Sequence, residues 1–199
     1  MRTYNFFIVE VENIVKDTIT TEGGLELYLD GKFNDFEHRT QCGKVVAVPF
    51  KYDHGVEVGD ELYFHHNVTL NNGQPLTGYD NHYLVSYSDY DAVASQAIAV
   101  KSKDTGEVRV LSSWTLIEQI QEERDEKSTS LEVVTLSEKP ITKGRIVIET
   151  DGTKDLGLKI GDIVGFKKNM DYDMVVDGKP YGRVRTQDLL YVEEEVHND

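Results

Sequence analysis

Hydrophobic and polar residues alternate along this chain in short runs, and runs of about four to eight residues with that period are typical of β-strands. Turn signals separate the runs, among them Asn71-Asn72-Gly73, Asp104-Thr105-Gly106 and Asp177-Gly178, where Asn, Asp and Gly accept the positive φ angles of tight turns. The pattern predicts an all-β fold. The predicted strands are residues 6–11, 44–48, 57–67, 82–87, 97–101, 107–111, 131–136, 145–149, 160–167, 174–176 and 183–184.

The two halves of the chain repeat one another. Gly43 opens an apolar run and is followed 16 positions later by Gly59 in Val58-Gly59-Asp60, while Gly144 is followed 17 positions later by Gly161 in Ile160-Gly161-Asp162. Each copy continues to a strand that contains tyrosine and to an apolar segment led by aspartate, residues 91–94 and 188–191. An internal repeat predicts tandem units of one fold.

We therefore expect two small β-barrels in tandem, a first domain over residues 1–95 and a second, divergent domain over 96–199. Residues 17–41 hold three glycines without clear periodicity. They predict a long flexible loop in the first domain, and such loops are usually functional or disordered. Ser113 has the character of a helix N-cap, with Trp114, Ile117 and Ile120 at helical spacing after it. This predicts a short helical or loop insertion over residues 112–130.

Composition narrows the functional classes. The chain has 199 residues and a net charge of −15, from 21 Lys and Arg against 36 Asp and Glu. Such an acidic surface repels phosphate backbones, which argues against nucleic-acid binding. Cys42 is the only cysteine, which excludes an internal disulfide and fits a reducing compartment. The sequence has neither an apolar signal core nor a run of about 18 apolar residues. We expect a cytoplasmic protein that does not bind membranes.

Candidate catalytic and metal-binding sets are weak. His65 and His66 are adjacent, and adjacent residues of a strand face opposite sides, so they do not join His82 in one metal site. Cys42 lies near His38 in the sequence, but no third group is placed to orient that histidine. No glycine pair is followed by the Lys-Ser or Lys-Thr that a phosphate-binding loop requires. We expect no enzymatic activity, no metal and no cofactor.

The long loop carries a candidate partner-binding segment. Gly23 and Gly24 oppose a fixed local structure, and in an extended chain Leu25, Leu27 and Leu29 share one side while Glu26 and Tyr28 take the other. Leucines on a flexible arm suit an apolar groove, at about 1.5–3 kcal/mol for each leucine buried. Ordering the loop cancels much of this gain, and several arms on one assembly restore affinity through avidity. The alternative is that residues 25–29 form an ordinary strand of the first barrel.

These segments resemble the GroES-like co-chaperonin (chaperonin-10) family. The resemblance runs through residues 22–27, 43–48, 56–62 and 83–87 leading into Asp91, in the family's order of mobile loop, G-x-V strand, V-G-D turn and aspartate-led last strand. It covers residues 4–95 and, for the later elements, 140–193. It implies that Leu25, Glu26 and Leu27 contact the apical domain of an ATP-driven chaperonin ring. This contact would close the cavity around a folding client protein, and the chaperonin would hold the ATP or ADP.

The sequence departs from the family in three places. Glu26 stands where an apolar residue is common, and residues 49–55 are too few for the family's roof hairpin, as in phage-encoded members. The second half lacks a loop marked by paired glycines, although Leu131-Glu132-Val133 resembles the contact tripeptide. Open edge strands need a neighbour to cover them, so we expect a homo-oligomer, as a ring. A virus-encoded protein would work in the host cytoplasm.

Two other functions stay open on the sequence. Tandem β-barrels with long arms also suit a structural protein of a virus particle, as a decoration or connector, because a fold does not dictate a function. The third possibility is a β-module that binds a small molecule or accompanies an enzyme. Residues 17–41 distinguish the first two functions. If this segment becomes protected only when a chaperonin and ATP are present, the protein is a co-chaperonin lid. If the segment is permanently ordered against another copy of itself, the protein is part of a virus particle.

Overall fold

The computed structural model describes residues 2–14, 18–20, 23, 25–28, 40–70, 74–89, 91, 94–111, 114–120 and 142–193. These residues form fourteen β-strands, one short α-helix, and two 3-10 helices at His66–Thr69 and Thr186–Asp188. The strands and the helix are β1 (Phe6–Glu10), β2 (Thr18–Thr20), β3 (Glu26–Tyr28), β4 (Cys42–Ala47), β5 (Glu61–Phe64), β6 (His82–Ser86), β7 (Ala97–Lys101), β8 (Val108–Val110), β9 (Trp114–Gln119), β10 (Lys143–Ile146), α1 (Asp151–Asp155), β11 (Ile163–Phe166), β12 (Tyr172–Val176), β13 (Lys179–Arg185) and β14 (Leu189–Glu193).

The strands form two large antiparallel sheets and one small one. The first six-stranded sheet has the order β6-β1-β4-β5-β7-β8, and the second has the order β12-β13-β9-β10-β11-β14. β2 and β3 form a two-stranded sheet of their own. The predicted all-β fold class is confirmed. Among the described strands, each large sheet runs from one edge strand to another, so neither is seen as a closed barrel.

The predicted repeat is confirmed in the order of the strands. Five neighbouring strands of the first sheet, β6-β1-β4-β5-β7, match β13-β9-β10-β11-β14 of the second. The first sheet adds β8 beyond β7, and the second adds β12 beyond β13. Residues 121–141 lie outside the described part, but they connect β9 to β10, just as residues 15–39 belong to the connection from β1 to β4. The second half therefore has a long connection at the same place in the topology.

The two units also share the hydrogen bonds of the turn that enters β5 and β11. Gly59 N–H donates to the Val45 carbonyl at 2.8 Å, and Gly161 N–H donates to the Ile146 carbonyl at 2.9 Å. Both glycines have positive φ angles, 99° and 96°. Residues with a Cβ avoid this region, which explains why glycine stands here in both halves.

The aspartate after each of these glycines closes the same turn. Asp60 Oδ2 accepts from Glu57 N–H at 2.8 Å, and Asp162 Oδ2 accepts from Lys159 N–H at 2.9 Å. The other carboxylate oxygen of Asp60 also accepts from Lys103 N–H, at 3.0 Å. The Gly-Asp pair is thus a structural signal in both units.

The helix predicted from Ser113 is wrong, because Trp114 to Gln119 form β9. Trp114, Thr115, Leu116 and Ile117 are all buried in succession, so this strand has no polar face to show a period of two. The helical spacing of its apolar residues is a coincidence in a strand buried on both faces. β9 holds the place of β1 in the repeat, so the predicted insertion over 112–130 begins with a core strand.

The division between the two units lies between Ser113 and Trp114, not after residue 95. The sequence places β7 and β8 in the second domain, but β7 pairs with β5 of the first sheet and β8 pairs with β7. The first unit comprises Met1–Ser113 with Val175–Asp177, and the second comprises Trp114–Met174 with Gly178–Asp199. The proposed match of segments 91–94 and 188–191 is also wrong, because β14 takes the place of β7 in the strand order.

Each unit has a hydrophobic core on one face of its sheet. The first core includes Phe7, Val9, Val45, Leu62, Phe64 and Val85, and the second includes Ile117, Ile146, Val164, Phe166 and Val184. Gly43 and Gly144 are in close contact with neighbouring strands. A Cβ added at Gly43 would lie 2.8 Å from the Glu10 carbonyl oxygen, and a Cβ added at Gly144 would lie 2.5 Å from Ile117 Cδ1. Close approach of the neighbouring strand therefore requires glycine at both positions.

Candidate partner-binding site

The ends of the long loop meet at its base. Thr40 N–H donates to the Ile14 carbonyl at 3.0 Å, and the Thr40 hydroxyl donates to the Asn13 carbonyl. These residues follow β1 and precede β4, which pair antiparallel in the first sheet. Residues 15–39, called the arm below, therefore leave and rejoin the sheet at neighbouring positions. The bounds of the arm differ by two residues at each end from the predicted loop of residues 17–41.

Within the arm, the described residues form a short hairpin. β2 and β3 pair antiparallel with Thr18 opposite Tyr28, Ile19 opposite Leu27 and Thr20 opposite Glu26. Gly23 is an exposed turn residue between the two strands. The alternative considered above, an ordinary strand of the first barrel, is therefore half right. β3 is a strand, but its described partner is β2 and not a strand of the six-stranded sheet.

The structure brings five of the seven predicted contact residues together. Gly23 stands in the turn, Leu25 directly precedes β3, and Glu26, Leu27 and Tyr28 form β3 itself. The Leu25 side chain is 62% exposed. Gly24 and Leu29 lie outside the described residues. An exposed leucine beside a hairpin, on an arm whose own ends are tied to the sheet, is a suitable contact for an apolar groove on another protein.

Residues 49–55, which the sequence marks as a short roof, are held against the sheet. Phe50 N–H donates to the Thr3 carbonyl at 3.0 Å. The His54 ring spans the segment: its Nδ1 accepts from Val56 N–H at 2.9 Å, and Nε2 lies 3.0 Å from the Pro49 carbonyl. The same ring packs edge-on against Phe7 with centroids 4.9 Å apart. The segment is a packed turn, and no part of it is a described strand.

An acidic groove lies beside the base of the arm. It has a volume of about 480 Å³ and is lined by Glu10, Glu12, Asn13, Thr40, Cys42, Gly43, Lys44, Gly59, Asp60 and Glu61. The Asp60 carboxylate is already engaged by the backbone N–H groups of Glu57 and Lys103. Four carboxylates against one lysine give the base of the arm a negative potential, so a partner that approaches here meets less repulsion if it is basic.

The described histidines and Cys42 lie as follows. β5 ends at Phe64, so His65 and His66 are not strand neighbours as assumed, and their rings lie side by side with centroids 4.2 Å apart. His65 Nδ1 accepts from Asn67 N–H at 3.2 Å, which caps the 3-10 helix. In the described part of the chain, no group of three or more metal-ligating side chains could hold a metal ion. Cys42 is half-buried on β4, and His38 is outside the described residues.

One buried charge escaped the sequence analysis. Arg183 on β13 is fully buried, and its guanidinium lies over the rings of Trp114 and Tyr172, with its Cζ atom 5.2 Å and 5.0 Å from their centroids. Burial lowers the pKa of Arg183 to about 10. Its guanidinium nitrogens have no hydrogen-bond partner among the described residues, so the two rings supply its stabilising contacts. Arg183 is predicted on a strand, but nothing in the sequence distinguishes it from an exposed strand arginine.

Comparison of the chain with protein-family models and with curated proteins found no match. Within the residues that the structure describes, no helix is long and apolar enough to span a membrane. The features that bear on function are therefore the repeated sheet, the tied base of the arm and the exposed leucine that the arm carries.

Proposed function

We propose that this protein is a co-chaperonin, which caps an ATP-driven chaperonin ring through the arm and assists the folding of a client protein. The observation that carries the proposal is the arm. Leu25 is 62% exposed beside a hairpin that pairs apart from the main sheet, and Thr40 ties the arm's ends together. The sequence resemblance places its contact tripeptide at Leu25, Glu26 and Leu27, where this hairpin lies.

The finer parts of the fold belong to the same proposal. Each antiparallel sheet would close into a small β-barrel, and the copies of the chain would form a ring in the cytoplasm. Support comes from the shared order of five strands in the two sheets and from the matched Gly-Asp turns. The chain itself carries out no chemistry in this proposal, because the chaperonin binds and hydrolyses the nucleotide.

The energetics of the arm suit a lid that binds and releases. Burying one leucine side chain contributes about 1.5–3 kcal/mol, and ordering as few as two arm residues costs a comparable amount. A single arm is then a weak ligand, with a dissociation constant of about millimolar or weaker. When several arms of one ring bind the same chaperonin, the high effective concentration of the remaining arms makes the overall binding tight. A modest change in the chaperonin's grooves on nucleotide hydrolysis is enough to release such a lid.

The test is nucleotide-dependent capture. Purified chaperonin is mixed with the wild-type chain in ATP, in ADP and without nucleotide, and the complexes are separated by size. The double substitution Leu25→Ser with Leu27→Ser should weaken each arm at least about tenfold and abolish capture. Leu156→Ser is the matched control, because Leu156 is 58% exposed but lies in the second unit, away from the arm in sequence.

The control should be captured like the wild type, and circular dichroism should show that both variants keep the β fold. Capture that survives the double substitution would mean that the contact residues are wrong. If no chaperonin captures the wild type in any nucleotide state, the co-chaperonin proposal fails. Self-assembly into large particles in that case would favour the structural protein of a virus particle.

A further inference from the structure

β14 is an edge strand with apolar side chains exposed to solvent. It ends the strand order of the second sheet, where it pairs with β11. Leu190, Tyr191 and Val192 are 59%, 49% and 41% exposed, although they follow one another along the strand. An exposed edge with consecutive apolar residues is a template for pairing with another strand.

The first unit contains the same strand with its edge covered. β7 occupies the place of β14 in the repeated strand order, and it carries β8 on its outer edge, with Ala99 opposite Val110 and Val100 opposite Arg109. Its residues Ala97 to Val100 are all buried. The same strand position is thus covered by an antiparallel strand in the first unit, whereas no described strand pairs with its outer edge in the second.

From this comparison we infer that β14 of one chain pairs antiparallel with β14 of a second copy, about a two-fold axis near Tyr191. This contact is a property of the second unit and does not depend on the proposed function of the arm. A two-fold contact joins chains in pairs and does not close a ring, so the ring of the proposed lid uses a different surface.

The other described edges explain why β14 pairs with itself. The outer edge of β6 is already bonded within its own chain, since Leu76 N–H donates to the His82 carbonyl at 2.8 Å and Leu84 N–H donates to the Gln74 carbonyl at 2.9 Å. β8 is only three residues long. β14 offers five residues, and a second β14 matches it in length and in apolar character.

The charges fix the direction of the pairing. β14 ends in Glu193, which forms a salt bridge with Lys143 in its own unit. Parallel pairing would set the two Glu193 side chains beside each other at one end. Antiparallel pairing centred on Tyr191 sets Glu193 opposite Leu189 and Leu190 opposite Val192, so like charges stay apart. Because the chain carries a net charge of −15, added salt should strengthen the association.

The experiment exploits the two-fold register. Sedimentation velocity is measured over a concentration series for the wild type, Leu190→Lys, Val192→Glu, and the double variant L190K/V192E. Each single substitution puts a charge against an apolar residue of the partner and should raise the dissociation constant more than about tenfold. The double variant puts the introduced lysine of each chain opposite the introduced glutamate of the other, so association should return to within about threefold of the wild type. Ile160→Lys, at a 62% exposed position of the same unit, is the control and should associate like the wild type.

The wild type, the control and the double variant should sediment as assemblies with twice the mass of those formed by the two single variants. The replaced side chains are largely exposed, so the fold should tolerate every substitution, and circular dichroism verifies this. Three results would overturn the inference: a wild type that stays unpaired at millimolar concentration, single variants that pair normally, or a double variant that does not recover. The last result would indicate that β14 docks on a different strand.

Discussion

Removing the carboxylate from each of the two equivalent turns should cost different amounts, although the turns look alike in sequence. Asp60 is 5% exposed and accepts two backbone N–H groups, those of Glu57 and Lys103, at 2.8 Å and 3.0 Å. Asp162 is half-buried, and it accepts from the backbone N–H group of Lys159 at 2.9 Å. The substitutions Asp60→Ala and Asp162→Ala therefore compare a buried carboxylate with a more exposed one.

The magnitudes follow from the burial of these bonds. A hydrogen bond to a charged group contributes about 1.5–3 kcal/mol, and less where water can replace the lost partner. We expect Asp60→Ala to lower the free energy of unfolding by about 3 kcal/mol and Asp162→Ala by about 1 kcal/mol. Asp60→Asn keeps an acceptor oxygen without the charge, so it should lie between the wild type and Asp60→Ala.

Urea unfolding followed by circular dichroism measures these differences, and hydrogen exchange localises them. In Asp60→Ala, the amide protons of Glu57 and Lys103 should lose protection, while peptides around Asp162 stay unchanged. Equal losses in the two variants, or a larger loss in Asp162→Ala, would refute the reasoning. The second carboxylate contact of Asp60 would then contribute nothing measurable to stability.

Two further predictions concern the second unit. A Cβ at Gly165 would lie 2.2 Å from the ring of Tyr191, so Gly165→Ala should lower the free energy of unfolding by about 1–3 kcal/mol. In a Tyr191→Ala background the loss should be less than about 1 kcal/mol. A double-mutant cycle by urea unfolding measures both losses, and equal losses in the two backgrounds would contradict the contact. Burial raises the pKa of Asp171, which accepts from Gln119 Nε2 at 3.0 Å. The folded protein therefore keeps the proton of the Asp171 carboxyl group to higher pH than the unfolded chain does. It loses stability as the pH rises from the unfolded pKa of about 3.9 through the raised value. Asp171→Asn should remove that loss, and its stability relative to the wild type should increase from pH 3 to pH 6; a difference that does not change with pH would contradict the prediction.

The sequence predicted best those features that depend on local backbone geometry. Gly59 and Gly161 need positive φ angles, and this need is visible in the residue type alone. The turn at Asp177 and Gly178 was found for the same reason, since both residues have positive φ angles, 50° and 76°. Such signals are independent of tertiary contacts, so they survive in a single sequence without alignment.

The sequence failed where burial on both faces removed the alternation of polar and apolar residues. Trp114 to Ile117 are buried in succession, and a short apolar run of this kind has no period that separates a strand from a helix. The boundary after residue 95 failed for a different reason. β7 joins the first sheet by pairing with β5, and β8 joins it by pairing with β7. The pairing of β5 with β7 is a contact between distant segments that no local pattern encodes.

The arm lies between these two cases. Gly23 and Gly24 indicated an irregular loop, and among the described residues Gly23 is an exposed turn residue and Leu25 is 62% exposed. The β2–β3 hairpin was not predicted, because Thr18 to Thr20 is too short a run to stand out from a threonine-rich loop. The contact residues themselves remain a prediction.

The tied base of the arm has a consequence for how its length can vary. Because Thr40 bonds back to Asn13 and Ile14, the ends of the arm stay in place whatever lies between them. The entropy of closing a loop grows slowly, by about 0.6 kcal/mol for each doubling of its length. Residues can therefore be gained or lost between positions 15 and 39 with little effect on the first sheet. Evolution, or an engineer, can adjust the reach of the arm to a deeper groove or a wider spacing of partners without redesigning the unit that carries it.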